Sequence, residues 1–207
     1  MIFNRPLDAL LGTRSKTALL RMMVRTRGEH TGRGLARLLG LDAKTCHTAL
    51  QDLARQGVVE FRKAGPAFLY RLNDLHALLR NLLEPLFERE EALLADYARD
   101  LEKHVGGRIL SLILFGSVAR KEERPTSDVD LLLVVSTSAE ARRIEGAIDR
   151  VTVDLARRYG SPPQVIVMVR SEFRRKARSG DRFLTEVLRS GRVVRGKPVA
   201  EVLRDVS

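Results

Sequence analysis

The first third of the chain places its apolar residues at helical spacing. Residues 15–27, 31–39 and 43–56 carry apolar side chains every three or four positions, which predicts three amphipathic helices. Thr31 and Asp42 begin the second and third of these, and both residue types commonly cap helix N-termini. Three short helices in about 45 residues predict a small helical unit with its own core.

Two short segments with alternating apolar and polar residues follow these helices. Residues 58–63 and 67–72 alternate, and the Ala64-Gly65-Pro66 sequence between them is typical of a turn, so they predict a β-hairpin. Helix, helix, turn, helix and hairpin is the order of a winged helix-turn-helix domain, which this region resembles. The segment LQDLARQGVV at residues 50–59 also resembles the end of a bacterial recognition helix that runs into its wing.

The resemblance implies double-stranded DNA as a partner, with the exposed face of the third helix in the major groove. Lys44 suits a phosphate contact, whereas Thr48 and Gln51 can reach base edges. The alternative is a winged helix that contacts only protein. The residues expected to contact DNA are Arg33, Arg37, Lys44, Thr45, His47, Thr48, Gln51, Arg62 and Lys63.

A leucine-rich connector follows the hairpin. Residues 76–107 carry apolar side chains at helical spacing, and Gly106-Gly107 closes the segment. Pro85 has no N–H for the helical ladder, so we expect a break or kink over residues 81–84. The connector's apolar stripe is compatible with packing the two lobes together, with a homodimer seam, or with burial inside one chain.

The last hundred residues alternate buried strands with helices. Strands are predicted at residues 109–115, at 164–169 and in the apolar run that ends at Val135, with a long helix over 138–159. We also expect a short helix capped by Ser171, another over 183–189 and an edge strand over 192–195. The fold class is therefore α+β with two domains. A winged helix-turn-helix (1–75) and a helical connector (76–107) precede an α/β lobe with a mixed sheet (108–207).

The most informative chemistry lies in this second lobe. Gly116-Ser117 ends the first strand, and a short helix from Ser117 would present free backbone N–H groups beside the turn. Asp128 and Asp130 begin the next apolar run two residues apart, so in a strand they share a face. Two adjacent carboxylates repel each other, and such a pair is a natural seat for a divalent cation.

Strand, Gly-Ser, a ten-residue spacer and Asp-x-Asp leading into a strand resemble the nucleotidyltransferase superfamily of the DNA polymerase β type, in its small bacterial branch. The resemblance covers residues 108–196, and Ala119-Arg120 also fits it. It implies Mg²⁺ held by the catalytic residues Asp128 and Asp130. It also implies a nucleoside triphosphate (NTP) held at Gly116, Ser117 and Arg120, with a structural salt bridge as an equal alternative for Arg120. A substrate hydroxyl would attack the α-phosphate and release pyrophosphate.

One position departs from the family pattern. The family usually carries a third carboxylate on the next strand, but that strand, QVIVMV at residues 164–169, has no acid. Gln164 occupies the nearest place, and an amide is neither a base nor a good magnesium ligand. Asp154 lies before this strand and Glu172 after it, but no sequence pattern places either acid at the site. This departure leaves open whether the site is catalytic.

Three functions follow from these motifs. The first is a magnesium-dependent nucleotidyltransferase with a DNA-binding domain and an unknown acceptor, either a protein, an RNA end or a small molecule. The second is a transcriptional regulator that senses a nucleotide without chemistry, and the third is an antibiotic adenylyltransferase. The last is least favoured because such an enzyme does not need a DNA-binding lobe.

Charge and composition indicate the class of partner and the cellular compartment. The net charge of +11 is uneven, with +7 in residues 1–75, −3 in residues 76–107 and +7 in residues 108–207, which favours contact with polyanions. The absence of a long apolar run predicts no membrane span. Cys46 is the only cysteine, which excludes an internal disulfide and favours a cytoplasmic protein. We expect Cys46 to be a small buried residue.

Overall fold

The computed structural model describes residues 6–124 and 126–204. The chain divides into two compact units, Met1–Glu91 and Ala92–Ser207. Each unit has its own hydrophobic core.

The first unit is a winged helix-turn-helix, as predicted. Its small sheet is antiparallel, with the strand order β1-β3-β2. Its first helix and the two-residue strand before the second helix of the motif were not predicted from the sequence. In chain order the elements are α1 (Pro6–Leu11), α2 (Arg14–Thr26), β1 (His30–Thr31), α3 (Gly32–Leu39), α4 (Ala43–Arg55), β2 (Val59–Ala64) and β3 (Ala67–Leu72).

Both predicted caps of the helix-turn-helix form. The Thr31 hydroxyl accepts a hydrogen bond from the Gly34 N–H at 3.0 Å, and the Asp42 carboxylate accepts one from the Thr45 N–H at 3.0 Å. Each cap satisfies a backbone donor that the first helical turn leaves unpaired. The core beneath them contains Leu19, Leu35, Cys46, Leu50, Leu53, Val58 and Tyr70, so Cys46 is buried as expected.

The connector remains helical at Pro85. A π-helical turn, Leu79–Leu83, passes directly into α5 (Glu84–Val105). A proline removes a ladder hydrogen bond and crowds the carbonyl four residues earlier, and a wider π-helical turn accommodates such a disturbance. The predicted irregularity is therefore present, but the helix does not break.

The connector's leucines divide between the two cores and solvent. Leu79, Leu83 and Phe87 belong to the core of the first unit, and Tyr97 and Leu101 belong to that of the second. Much of the apolar stripe is therefore used within one chain. The homodimer stays a prediction, and the apolar side chains that remain exposed for it are Leu82, Leu86 and Leu93.

The second unit is a four-stranded mixed sheet flanked by helices. The strand order is β6-β5-β4-β7; β5 and β6 are parallel, and the other pairs are antiparallel. The long helix α7 connects the parallel pair, as a crossover must. The elements are β4 (Ile109–Leu114), α6 (Gly116–Arg120), β5 (Val129–Val135), α7 (Ser138–Tyr159), β6 (Pro163–Val169), α8 (Arg170–Arg178), α9 (Arg182–Ser190), β7 (Arg192–Gly196) and α10 (Val199–Leu203).

The alternation of side chains along β5 separates two cores. Leu131 and Leu133 pack with Leu101 of α5 and Leu155 of α7 on one face of the sheet. Leu132 and Val134 pack on the other face with residues of α8, α9 and α10. Because strand residues alternate, Asp130 shares the second face with Leu132. The acid therefore lies at the end of the sheet face that these short helices cover.

The short helices at the end of the chain are positioned by arginines. The prediction that Ser171 caps α8 was wrong, since α8 begins at Arg170 and Val169 is its N-cap residue. Arg170 Nε and Arg174 Nε each donate to the Val202 carbonyl, at 3.0 and 2.9 Å. Arg170 Nη2 also donates to the Arg204 carbonyl at 2.9 Å. These guanidinium groups satisfy the carbonyls at the C-terminus of α10 and complement its dipole.

No helix within residues 6–124 and 126–204 combines the length and apolar character needed to span a bilayer.

Candidate active site and nucleic-acid surface

The Gly-Ser turn at the end of β4 lies directly against Asp130. The Phe115 N–H donates to the Asp130 carbonyl at 3.0 Å, which extends the β4–β5 ladder by one bond. Gly116 follows with φ of +72°, a conformation that favours glycine. A Cβ at Gly116 would lie 2.7 Å from Asp130 Cγ, closer than real atoms approach. Glycine is therefore required at this position both by the backbone conformation and by the close approach of the Asp130 carboxylate.

The charge of Asp128 acts on the ionisation of Asp130. Asp128 is exposed just before β5, whereas Asp130 is half-buried inside the strand. Burial raises the pKa of the Asp130 carboxyl, the negative charge of Asp128 raises it further, and Arg120 opposes both. Asp128 and Arg120 are thus both close enough to Asp130 for their charges to act on it. A cation held between the acids would relieve their repulsion.

Ser117 and Arg120 lie on the short helix α6, next to Gly116. Ser117 is half-buried, and its carbonyl accepts a hydrogen bond from the Glu122 N–H at 2.9 Å. The Arg120 guanidinium is exposed, and its Nε donates to Glu122 Oε2 at 2.8 Å. This hydrogen bond is the main reason why the pKa of Arg120 is raised, and the charges of Glu122, Glu186 and Asp130 contribute. An exposed ion pair of this kind is weak, so Arg120 can exchange Glu122 for a phosphate.

Gln164, predicted to lie nearest the place of the usual third carboxylate, is beside Asp130 in the sheet. In the parallel register of β5 and β6, Gln164 is the Cα partner of Asp130, so both side chains lie on the same face. The two flanking acids contact other residues: Asp154 Oδ2 lies 3.7 Å from His104 Nε2, and Glu172 Oε1 lies 3.1 Å from Lys176 Nζ.

The donors at this site suit magnesium bound together with a nucleotide. Among residues 6–124 and 126–204, no group of three or more histidine, cysteine, aspartate or glutamate side chains is arranged to hold a metal ion. Magnesium, however, is commonly held by one or two carboxylates plus substrate phosphates and water. Asp128 and Asp130 meet that smaller requirement.

The residues predicted to contact DNA lie on two sides of α4. Lys44, Thr45 and Thr48 line a cavity between α4 and the start of α2. His47 and Gln51 instead line a cavity beside the wing, together with Phe61, Phe68 and Tyr70. All five α4 residues are exposed, and they border these two separate cavities.

The cationic side chains predicted to contact DNA differ in whether they already form an ion pair. Arg62 makes a two-pronged ion pair with Glu29, with Nε–Oε1 and Nη2–Oε2 distances of 2.7 and 2.6 Å. Within residues 6–124 and 126–204, the side chains of Lys44, Lys63, Arg33 and Arg37 form no hydrogen bond or ion pair. These four cations are therefore available to an anionic ligand, whereas Arg62 must first leave Glu29.

The family comparison agrees with the geometry of the second unit. Residues 94–193 match a family model described as nucleotidyltransferase domain. This part of the chain is a nucleotidyltransferase domain. The match contains the Gly-Ser turn, both acids and the β6 position of Gln164. Residues 12–72 match a second family model, described only as HVO_A0114, which covers most of the winged helix-turn-helix.

Solved structures similar to this chain are distant. A homodimeric winged helix-turn-helix DNA-binding domain from Mycobacterium bovis is 21% identical, with 43% of this chain and 79% of that one covered and a TM-score of 0.36. The AntR antimony-specific transcriptional repressor is 20% identical over 45% and 78%, with a TM-score of 0.37. A toxin-antitoxin structure with AMP-PNP is 18% identical over 53% and 78%, with a TM-score of 0.38. No curated protein matches the chain.

Tyr97 supports the nucleotidyltransferase site and was missed by sequence analysis. It is buried on α5, and its hydroxyl donates to the Ser161 carbonyl at 3.1 Å. Burial raises the pKa of Tyr97, and the nearby charge of Asp128 contributes. The next carbonyl, of Pro162, accepts a hydrogen bond from the Val129 N–H at 2.9 Å. Tyr97 thus fixes the loop between α7 and β6, and that loop in turn accepts a hydrogen bond from the first residue of β5. No local sequence signal links Tyr97 to an acid about thirty residues away.

Proposed function

We propose that this chain transfers a nucleotidyl group from an NTP to an acceptor hydroxyl, and that its winged helix-turn-helix binds double-stranded DNA. The observation that carries the catalytic part is the contact between Gly116 and Asp130. It joins the turn expected to approach a triphosphate to the acids expected to hold its cation. The family match over residues 94–193 supports the same reaction class.

Each residue of the turn has a separate task in this proposal. Gly116 carries no side chain, so a triphosphate can approach its backbone closely. The Ser117 hydroxyl and N–H donate to phosphate oxygens, and Arg120 places a positive charge beside the departing pyrophosphate. These groups bind and orient the triphosphate, so that the bond to be broken points away from the acceptor hydroxyl.

Asp128 and Asp130 would hold Mg²⁺. When bound, this ion supplies positive charge to the phosphoryl oxygens and lowers the pKa of the acceptor hydroxyl. The acceptor oxygen forms a bond to the α-phosphorus, the bond to the β-phosphate oxygen breaks, and pyrophosphate leaves. Because Gln164 cannot take up the hydroxyl proton, we assign that proton to solvent.

The test is transfer of label from α-labelled nucleotides. Each of the four NTPs is incubated with the protein, Mg²⁺ and a cell extract that supplies acceptors. We expect a labelled product with at least one nucleotide and background label with an Asp128→Ala variant. Equal label in both proteins, with every nucleotide, would refute the catalytic proposal.

Gln164 favours a second candidate, a regulator that senses a nucleotide without chemistry. Two carboxylates can retain a magnesium–nucleotide complex even where no third acid assists the reaction. This candidate predicts saturable, magnesium-dependent binding of a nonhydrolysable NTP without any labelled product. The two readouts together separate an enzyme from a sensor.

Binding of duplex DNA should depend on salt and on the free cations of the winged helix. For the wild type, we expect the logarithm of affinity to fall linearly with the logarithm of salt concentration. A Lys44→Ala, Arg37→Ala variant removes two exposed cations that have no partner among the described residues and so loses two phosphate contacts. The slope should therefore decrease by about 2. Fluorescence anisotropy with a labelled duplex over a salt series measures both quantities.

A matched control removes two cations from the other unit. Arg142 and Arg150 are exposed on α7, so an Arg142→Ala, Arg150→Ala variant has the same net charge as the first variant. It should retain the wild-type slope. If both variants lose affinity equally, binding follows net charge alone, and the winged helix is not the duplex-binding surface.

A further inference from the structure

The wing of the first unit exposes an aromatic cluster beside α4. Phe61 on β2 is 57% exposed and Phe68 on β3 is 45% exposed. Their ring centroids are 5.7 Å apart in an edge-to-face arrangement, and Phe61 lies 5.9 Å from the ring of Tyr70. Large rings are usually buried, so two exposed neighbouring phenyl groups indicate a binding surface.

The hairpin register explains why these rings point the same way. Phe61 is the Cα partner of Tyr70, and Lys63 is the partner of Phe68. Cross-strand partners share a face, and so do residues two apart, so all four side chains lie on one face of the hairpin. Near the base of the hairpin this face forms the core through Val59 and Leu72. Towards the tip it extends beyond the core and becomes exposed.

Two adjoining cavities line this face, and both are bordered by His47, Phe68 and Tyr70. The larger is about 470 Å³ and is also bordered by Arg33 and Gly32; the smaller, about 60 Å³, also contacts Phe61 and Gln51. The larger volume falls within the usual range of ligand pockets, which is ample for a nucleoside. The cleft therefore combines flat aromatic walls with groups that can hydrogen-bond a planar heterocycle.

The charge around the cleft favours an anionic ligand. Residues 1–75 carry a net charge of +7. Arg33 at the edge of the larger cavity and Lys63 next to Phe68 make no hydrogen bond or ion pair with any described residue. An apolar patch that docked a protein segment would not need unpaired cations at its rim, whereas a phosphate backbone does.

Regular duplex DNA does not suit this surface. A duplex presents phosphates and base edges, and the flat faces of its bases are already stacked on one another. Phenyl rings gain little from phosphates. An unpaired base, in contrast, offers a free π-face that stacks on an aromatic side chain, and a positively charged groove can follow its backbone.

We propose that the cleft between α4 and the wing binds single-stranded nucleic acid. One or two unpaired bases stack on Phe61 and Phe68, and His47 and Gln51 donate or accept hydrogen bonds at the base edges. Arg33 and Lys63 contact the flanking phosphates. Arg33, His47, Gln51 and Lys63 were predicted to contact duplex DNA, and the proposal assigns them to a single strand instead. Lys44, Thr45 and Thr48 border a separate cavity and remain available to the duplex.

Fluorescence anisotropy of the full chain with labelled oligonucleotides tests the proposal. The ligands are a mixed-sequence twelve-nucleotide single strand and the duplex of the same sequence. In a Phe61→Ala, Phe68→Ala variant we expect single-strand affinity to fall by about 5- to 150-fold, the range that loss of base stacking produces. Duplex affinity should change less than about twofold. Thermal unfolding by circular dichroism verifies that the variant is folded.

A second variant separates stacking from general apolar contact. Phe61→Leu with Phe68→Leu keeps the apolar bulk but removes the aromatic faces, so it should lose single-strand affinity almost as fully as the alanine pair. Wild-type affinity in the leucine pair would indicate an apolar protein-docking surface and would overturn the proposal. Unchanged single-strand affinity in the alanine pair would overturn it too. Lys44→Ala affects duplex binding instead, so the two proposals fail independently.

Discussion

Replacing Asp130 by asparagine should reduce nucleotidyl transfer by at least about 100-fold, because it removes one of the two carboxylates expected to hold the cation. Loss of residues that merely orient metal ligands already costs roughly 10- to 100-fold, and a direct ligand should cost more. The rate of label transfer at saturating NTP and Mg²⁺ is the measurement.

The same substitution should not weaken the metal-free fold. Burial and the charge of Asp128 raise the pKa of Asp130, so the folded state holds its proton more firmly than the unfolded chain does. A raised carboxyl pKa means that ionised Asp130 destabilises the fold once the pH exceeds that pKa. Neutral asparagine removes this cost, so the Asp130→Asn variant should unfold at the wild-type temperature or above it.

Asp154→Asn is the matched control, since Asp154 lies beside His104 and not at the acid pair. It should transfer label at close to the wild-type rate. A large loss in Asp154→Asn would mean that this acid supplies the missing third carboxylate during turnover. Wild-type activity in Asp130→Asn would remove the acid pair from the mechanism.

Replacing Gly116 by alanine should abolish transfer and also destabilise the second unit. A residue other than glycine with φ near +72° costs about 1–2 kcal/mol, and the new methyl group would also overlap the Asp130 carboxylate. Asp130 must therefore move away from its position against the turn. Thermal unfolding measures the loss of stability, and label transfer at a temperature where the variant is folded measures the loss of activity.

Gly146→Ala is the same chemical change at a position where we expect stability to rise and activity to be retained. Gly146 lies inside α7, and a Cβ there meets no atom within 4 Å. Alanine is the better helix former by roughly 1 kcal/mol, so this variant should be more stable and fully active. Equal behaviour of the two glycine variants would contradict the proposed contact between Gly116 and Asp130.

Elements with strong local signals could be predicted from the sequence. The long helix of the second unit was predicted over 138–159 and spans Ser138–Tyr159. Its limits are fixed by Thr137, which forms a capping box with Glu140, and by Gly160 in a left-handed conformation. The Gly-Ser turn and the acids were predicted for a similar reason, because a strand–turn–helix and a two-residue spacing are local patterns.

Features that depend on distant residues could not be predicted. Phe61 and Phe68 alternate correctly for a strand, but only the hairpin register shows that they share a face with Tyr70 beside His47. Arg170 lies in a basic segment with Arg174, Arg175 and Lys176, and nothing local in that segment shows that Arg170 holds the end of α10. Such contacts join residues far apart in the chain, so neither periodicity nor a motif records them.

Calorimetric titration of the wild type with a nonhydrolysable NTP, with and without Mg²⁺, tests the central claim most directly. If Asp128 and Asp130 seat a cation that faces the Gly-Ser turn, nucleotide binding should require Mg²⁺, and chelation should abolish it. Equal affinity in the presence and absence of Mg²⁺, or no binding under either condition, would contradict a nucleotide site at these acids.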